Sequence, residues 1–272
     1  MKTEPVLILK MQIRTQVSKD PFNCSRIMKS KSIIGIALFF LIFATISCNK
    51  SDGYSLGAFR IDIATVKKID NYSYSLILDN GKKLWIAASD VRYIPKDNQR
   101  VFINYTLLSD EVGDYDHYIK LNDIWNILTK DIIDLTTENA DSIGHDPVNI
   151  NDIWIGRDFL NIDFMFNYGG VRPHAINLVK NTATFDENAE VIELEFRHNA
   201  YESQNTRRIE GLACFNLKPL QREDIDSVKI SVLVKDWDGN KTYNVVYKYN
   251  SEVENATRYE TPVVVVSSEE YY

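Results

Sequence analysis

His198 and Asn199 stand side by side at the end of an apolar, strand-like stretch, and no other pair in the chain looks as suited to chemistry. An imidazole and a carboxamide placed there either face a ligand or hydrogen-bond the backbone of a turn and hold a hairpin. No nucleophile and no second histidine lies nearby in the sequence to complete a catalytic set. We therefore expect the turn-stabilising role, with ligand binding as the alternative.

A second polar group imitates a cation site. Asp236, Asp238 and Asn240 have the spacing of the first half of a calcium-binding loop. The sixth position is then Lys241, where glycine is required, and the twelfth is Tyr247, where a bidentate glutamate is required. We expect a turn at this place and predict no metal.

Catalytic and cofactor motifs are missing. The sequence contains no G-x-S-x-G elbow, H-E-x-x-H helix, glycine-rich phosphate loop or paired C-x-x-C. Cys214 lies between Ala213 and Phe215, where a thiol is usually an inert small hydrophobe. The sequence predicts no catalytic residue and no cofactor. Two carboxylates for glycoside cleavage need only meet in space, so an unrecognised surface hydrolase stays open as an alternative.

Trp237 is the tryptophan that we expect to be most exposed, because it comes one residue before the turn signal Asp238-Gly239. An exposed indole can stack on a sugar ring, whereas tryptophan on a strand is by default buried in the core. Trp237 is therefore a candidate ligand-binding residue, together with His198 and Asn199.

The elements that must position these residues are predicted to be strands. Residues 57–135 contain five short alternating stretches, and Asn80-Gly81 between two of them is typical of a type I′ hairpin turn. Five short strands favour a small closed barrel, since an open sheet of that size would leave exposed edges. Residues 136–147, "TTENADSIGHDP", predict a linker.

Residues 148–272 resume the β pattern with about seven strands, of which the last is Thr261–Val266. Helical periodicity is nearly absent, so we predict an antiparallel β-sandwich and an all-β chain.

The charge of the chain argues against nucleic acid as a partner. The 272 residues carry a formal charge of −7, and residues 49–272 alone contain 24 basic and 36 acidic side chains. An acidic body of this kind repels phosphate backbones. Of the three cysteines, only Cys214 lies in the body, so no internal disulfide is predicted there.

The N-terminal region predicts export. Ile33–Ile46 is apolar and uncharged, which suits the roughly 7–15 residues of a signal-peptide core and falls short of the roughly 20 residues of a membrane span. Lys29 and Lys31 precede it, and Ser47-Cys48 follows. This order resembles the lipobox of bacterial lipoproteins, which implies cleavage between Ser47 and Cys48 and acylation of Cys48, for example with palmitate.

We expect Met28 to be the true start, so that residues 28–47 are the signal peptide and residues 1–27 are an upstream extension that is not translated in the cell; Met11 is the second choice of start. A plain signal peptide or a buried strand is the alternative to the lipobox. Residues 48–56 then form the lipidated cysteine and a polar tether. The anchor predicts attachment to the outer membrane, facing either the cell surface or the periplasm. Ser142, in Asp141-Ser142-Ile143, and Ser227, in Asp226-Ser227-Val228, resemble acceptors for O-glycosylation in exported Bacteroidetes proteins.

The order of lipobox, small barrel, linker and sandwich resembles the NigD-like lipoproteins of Bacteroidetes. The phrases that carry the resemblance are "FLNIDFMFNYGG" (159–170), "HAINLV" (174–179), "LEFRHNA" (194–200) and "GLACFNL" (211–217). The resemblance implies an OB-fold domain followed by a β-sandwich domain, and an address in the envelope, but no activity. We expect a noncatalytic binding or accessory module whose partner is a glycan, a peptide or an envelope protein. A surface hydrolase and a structural subunit of an envelope complex are the alternatives.

Overall fold

The structure is a computed structural model that describes residues 57–170, 172–203, 206–249 and 271–272. The predicted signal peptide, the predicted lipidation site and the predicted strand Thr261–Val266 lie outside the described residues. Within them the chain is nearly all β, as predicted. None of the helices among these residues is long and apolar enough to cross a bilayer.

The first part of the chain folds into a closed five-stranded barrel. Its strands are β1 (Phe59–Lys68), β2 (Tyr74–Leu78), β3 (Lys83–Ser89), β4 (Arg100–Ser109) and β5 (His117–Asn126). They follow one another around the barrel in the order β1-β2-β3-β5-β4, and β1 pairs with both β2 and β4. Alternate residues such as Leu76 and Leu78, or Val101 and Ile103, fill the interior because successive side chains of a strand point to opposite faces.

The hairpin between β2 and β3 forms at Asn80-Gly81, but the predicted type I′ turn is wrong. Such a turn needs positive φ at both central residues, and only Gly81 has it, at 84°. The Gly81 amide donates to the Leu78 carbonyl at 2.9 Å. The Asn80 side chain accepts a hydrogen bond from the Lys82 amide at 3.1 Å instead of adopting the left-handed conformation.

The second part of the chain is a two-layer sandwich. The five-stranded sheet has the order β14-β13-β11-β10-β7 and the four-stranded sheet the order β6-β12-β9-β8. The strands are β6 (Leu128–Asp131), β7 (Ile133–Leu135), β8 (Asn149–Gly156), β9 (Phe159–Tyr168), β10 (Ala175–Asn181), β11 (Val191–Asn199), β12 (Arg207–Asn216), β13 (Ser227–Asp236) and β14 (Gly239–Lys248).

The two sheets share one core, in which the Phe196 ring contacts the rings of both Phe164 and Phe215. The sandwich is confirmed, but it is not purely antiparallel. The pairs β6–β12, β7–β10 and β11–β13 are parallel. Parallel neighbours are joined by long crossovers, which leave no local trace in the alternation of side chains.

The chain passes from the barrel to the sandwich before residue 135, where the sequence placed the end of the barrel domain. Strands β6 and β7, in residues 128–135, pair with β12 and β10 of the sandwich and not with the barrel. Inside the predicted linker, Ala140–Ile143 form the one-turn helix α1, and Ile143 packs against Leu135 and Val179. Much of the predicted linker is thus part of the sandwich.

The barrel and the sandwich belong to one compact unit, Gly53–Tyr272. An apolar cluster joins them, in which Ile63 and Phe102 of the barrel pack with Phe159, Leu212 and Cys214 of the sandwich. Burial raises the pKa of the Cys214 thiol to about 11, so this cysteine is protonated at neutral pH.

A buried ion pair lies beside this cluster. Arg100 is fully buried, and its two terminal nitrogens lie 2.6 and 2.7 Å from the two oxygens of Asp79. The Asn161 side-chain amide lies against Arg100. When the amide is oriented with its oxygen away from Arg100, that oxygen accepts hydrogen bonds from Trp154 Nε1 at 3.0 Å and from Gly156 N at 3.2 Å. Gly156 allows this approach, because a Cβ there would lie 2.1 Å from Asp79 Oδ2.

Candidate functional site

Loops at one end of the sandwich enclose a cavity of about 640 Å³, which we call the sandwich cavity. The loop after α1, the end of β9, the β11–β12 connection and the β13–β14 turn all contribute to it. It brings together His198, Asn199 and Trp237, the three residues that the sequence offered as candidates for ligand binding or turn stabilisation. Tyr201, Arg172 and three carboxylates also line the cavity.

His198 forms the floor of the cavity and is paired with a second histidine. It is 2% exposed at the end of β11, and its Nε2 lies 2.8 Å from Nδ1 of His174, just before β10. Burial lowers the pKa of both imidazoles, that of His198 to about 4. Two neutral rings can share one N–H between the facing nitrogens, so His174 holds the His198 ring in place.

Asn199 ties two loops of the cavity together. Its Nδ2 donates to the Ser142 carbonyl at 2.9 Å, and its Oδ1 accepts from the Tyr201 amide at 2.8 Å. Asp146 adds a third bond, since its Oδ2 accepts from the Ala200 amide at 2.7 Å. The amide of Asn199 is therefore already satisfied by the protein and acts as a clamp.

The rim of the cavity is aromatic. Trp237 is 43% exposed at the β13–β14 turn. Across the cavity, the Arg172 guanidinium lies 3.5 Å from the Tyr201 ring centroid, and the Tyr201 hydroxyl lies 2.5 Å from that of Tyr272. Tyr201 and Glu202 both have positive φ, at 49° and 59°, a conformation that side chains adopt only where their surroundings impose it.

The charge of the lining is negative. Asp141, Asp146 and Glu202 contribute carboxylates, and Arg172 contributes a guanidinium that is stacked on Tyr201. The lining thus offers ring faces for stacking and oxygen atoms that accept hydrogen bonds from hydroxyl or amino groups. It contains no cysteine, and its buried imidazole is neutral.

The two predicted O-glycosylation acceptors, Ser142 and Ser227, do not line the sandwich cavity. Ser142 is exposed on α1, and its hydroxyl donates to the Asn139 carbonyl at 2.8 Å. Ser227 is half-buried at the start of β13. Glycosylation of either serine stays a prediction, which mass spectrometry of protein from the native cell tests.

The stretch Asp236–Asn240, whose spacing is that of half a calcium-binding loop, forms the β13–β14 turn in the structure. Asp236 accepts from Lys241 Nζ at 2.6 Å and from Asn149 Nδ2 at 2.8 Å, and it joins the two sheets. No group of three or more residues with metal-binding side chains occurs among the described residues.

A pair of carboxylates meets outside the cavity. Asn151 Nδ2 donates to Asp163 Oδ1 at 3.0 Å and to Glu210 Oε1 at 3.2 Å. Burial is the main cause that raises the pKa of Asp163 to about 6, and the Glu210 and Asp152 charges act in the same direction. The flanking Ile162 and Phe164 point into the core, so this pair lies on the opposite face of the four-stranded sheet.

Sequence reasoning missed His174, Tyr201 and Asp163 as members of these groups. Each meets its partner through strand pairing or loop contact, and none stands at a recognisable spacing from that partner. One signal in the sequence could have indicated the histidine pair: His174 comes at the start of one strand and His198 at the end of another. Antiparallel pairing of β10 with β11 brings these two strand ends, and so the two histidines, together.

Comparison with known proteins identifies the family. Residues 63–127 match the NigD-like N-terminal OB domain, and residues 131–247 match the NigD-like C-terminal beta sandwich domain. The chain belongs to the NigD-like family. The two matches meet between residues 127 and 131, where the structure also changes from barrel to sandwich.

Solved structures support the NigD-like assignment. A candidate toxin-related protein from Parabacteroides distasonis is 39% identical, with 71% of this chain and 95% of that chain covered and a TM-score of 0.64. A protein of unknown function from Bacteroides vulgatus is 33% identical, with 74% and 96% covered and a TM-score of 0.63. A NigD-like immunity protein from Bacteroides caccae shares the fold at 21% identity, with 71% and 94% covered and a TM-score of 0.55. No curated protein matches the chain at a significant level.

Proposed function

We propose that this NigD-like chain is a noncatalytic lipoprotein of the outer membrane, in which acyl chains on Cys48 anchor two β domains that act as a binding or accessory module of the cell envelope. Ile33–Ile46 followed by Ser47-Cys48 supports the anchor. Several acyl chains on one cysteine would make the attachment stable, where a single chain would be marginal.

The sandwich cavity is the observation that carries the binding role. Its volume of about 640 Å³ lies within the range of small-ligand sites, roughly 300–1,000 Å³. The rim offers the exposed Trp237 ring as a stacking surface, and the lining contributes three carboxylates. The imidazole at the floor is neutral and bonded to His174, so recognition rather than proton transfer is the chemistry on offer. A glycan or a peptide is the ligand class that we propose.

Calorimetry with full-length protein in detergent tests this proposal against a panel of soluble glycans and peptides. Trp237→Ala should weaken a cavity ligand about tenfold or more, since exposed aromatic anchors carry much of the energy of an interface. Trp125→Ala is the matched control, because Trp125 is also 43% exposed but lies on β5 of the barrel. Equal affinity of the parent and Trp237→Ala for every ligand that binds would contradict a role for the cavity.

The same panel separates binding from catalysis. Turnover of any member, abolished by Asp163→Asn, would replace this proposal with the surface hydrolase, because Asp163 and Glu210 are the paired carboxylates that such an enzyme would need. A stoichiometric protein partner recovered by crosslinking in intact cells, with no panel member bound, would instead favour a structural subunit of an envelope complex.

A further inference from the structure

The barrel carries a second concave surface, separate from the sandwich cavity. It has a volume of about 600 Å³ and lies over β2, β3 and the β3–β4 connection. We call it the barrel groove and define it by Tyr72, Trp85, Arg92, Tyr93 and Ile94. Tyr72 is 84% exposed and Ile94 is 82% exposed, so large apolar side chains stand in solvent on both sides of it.

Two rings of the barrel groove, those of Trp85 and Tyr93, are held in place by neighbouring side chains. Tyr74 and Tyr93 have ring centroids 5.4 Å apart, and the Tyr93 hydroxyl donates to Asn126 Oδ1 at 2.7 Å. The Trp85 ring lies 5.1 Å from that of Tyr115. Fixed rings with an open face lose little conformational entropy when a flat ligand stacks on them.

Arg92 is the single charged residue among those that line the barrel groove. It is exposed, and its guanidinium has no ion pair and no hydrogen bond with any residue that the structure describes. The barrel is also nearly neutral, with nine basic and ten acidic side chains in residues 57–127, although the whole body is acidic. The groove therefore presents one uncommitted cation, suited to a carboxylate that accepts two parallel hydrogen bonds.

We propose that the barrel groove binds an oligosaccharide that carries carboxylate groups. The apolar face of a pyranose ring would stack on Tyr72 and Trp85, and the carboxylate of the same or the next sugar would pair with Arg92. This site is independent of the one in the proposed function, because no residue lines both surfaces.

Two other ligand classes fit the barrel groove less well. Single-stranded nucleic acid also stacks on aromatic rings, but it needs a basic channel along its phosphates, and this groove has one cation on an acidic protein. A peptide that binds by strand addition needs an unpaired strand edge, and the barrel is closed. A proline-rich peptide would stack on the rings but would leave Arg92 without a partner.

Calorimetry with full-length protein in detergent tests the proposal against oligosaccharides that contain galacturonate, glucuronate or sialate, each with its methyl-esterified form. The carboxylated form should bind more tightly. Arg92→Gln should weaken that form about tenfold and reduce its salt dependence while leaving the methyl ester unaffected. Tyr72→Ala should weaken both forms. Lys96→Gln and Phe59→Ala are controls, because both are exposed on the barrel outside the groove and should change nothing.

Three results would overturn the proposal. They are no binding by any carboxylated oligosaccharide, unchanged binding by Arg92→Gln, and tighter binding of oligothymidylate or a proline-rich peptide than of all sugars. Trp237→Ala, titrated with the same ligands, distinguishes this failure from that of the sandwich cavity, since it should leave binding in the barrel groove intact.

Discussion

His174 and His198 constrain what the sandwich cavity can do, because two facing imidazole nitrogens 2.8 Å apart share a single proton. A proton added to either ring places charge on a side chain that is at most 2% exposed and packed against Phe166 and Tyr168. The pair is therefore stable as two neutral rings. In the folded protein it acts as a structural core contact and becomes a weak point only in acid.

The stability of the protein should fall in acid because of this pair. The pKa of His198 is about 4 in the folded state and about 6.5 in an unfolded chain, so unfolding takes up a proton between these values. The stability contributed by the neutral ring is complete above about pH 6.5 and is lost as the pH falls to 4, an effect of about 3 kcal/mol at most. Urea unfolding at a series of pH values measures it.

His198→Gln should flatten this part of the pH profile, because glutamine does not titrate. Asn199→Ala is the control, since it removes a neighbouring loop bond and no titrating group, so it should lower the whole profile without changing its slope. The comparison is between variants because Asp163, whose pKa is raised to about 6, contributes a slope of the opposite sign. An unchanged slope in His198→Gln would show that the pair is not the acid-sensitive contact.

At the scale of elements, the Arg100–Asp79 ion pair joins β4 to the β2–β3 turn within the barrel and lies against Asn161 and Gly156 of the sandwich, so we expect it to help fix the contact between the two domains. The guanidinium also lies over the Phe159 ring, 5.0 Å from its centroid. Burying two charges is costly, so the pair is better evidence for a specific arrangement of the two domains than for high stability.

Removing one partner of this pair should be far worse than removing both. Arg100→Met leaves the Asp79 carboxylate buried without its cation, and we expect the free energy of unfolding to drop by about 3–5 kcal/mol. The double variant Arg100→Met with Asp79→Leu should recover much of that loss. Urea unfolding followed by tryptophan fluorescence measures both variants.

Lys229→Met provides the control for the ion pair, because it breaks the Lys229–Glu190 contact on the surface, where water screens the charges. It should leave the unfolding midpoint unchanged. If Arg100→Met is equally silent, or the double variant is as unstable as the single one, the ion pair does not fix the contact between the domains.

The alternation of apolar and polar side chains along the sequence predicted most of the strands. It missed strands that are irregular, or so short that pairing with distant parts of the chain decides whether they form. The barrel strands and β9 to β14 are long enough, and regular enough, for their period of two to be visible. Strand β8 was missed because a register shift between Ile150 and Asp152 breaks its alternation. Strands β6 and β7 are only four and three residues long, and their parallel partners come far later in the chain.

At the scale of the whole molecule, two concave surfaces with different chemistry belong to one compact unit. The sandwich cavity is acidic and lies among loops, whereas the barrel groove is aromatic and carries one cation. The sequence named Trp237, His198 and Asn199 as candidates for the first surface without predicting that they lie together. It did not predict the second, because Tyr72, Trp85 and Arg92 look like ordinary strand and loop residues until the barrel places them on one face.

The proposed anchor on Cys48 would give both surfaces their biological setting, and its loss is the most direct test of the account. Cells that express the parent or Cys48→Ser are fractionated and labelled with palmitate, with Cys214→Ser as the control for the one other cysteine of residues 28–272. The parent and Cys214→Ser should incorporate label and sediment with the outer membrane, and Cys48→Ser should do neither. Label and membrane association that persist in Cys48→Ser would contradict the account of this protein as a lipid-anchored envelope module.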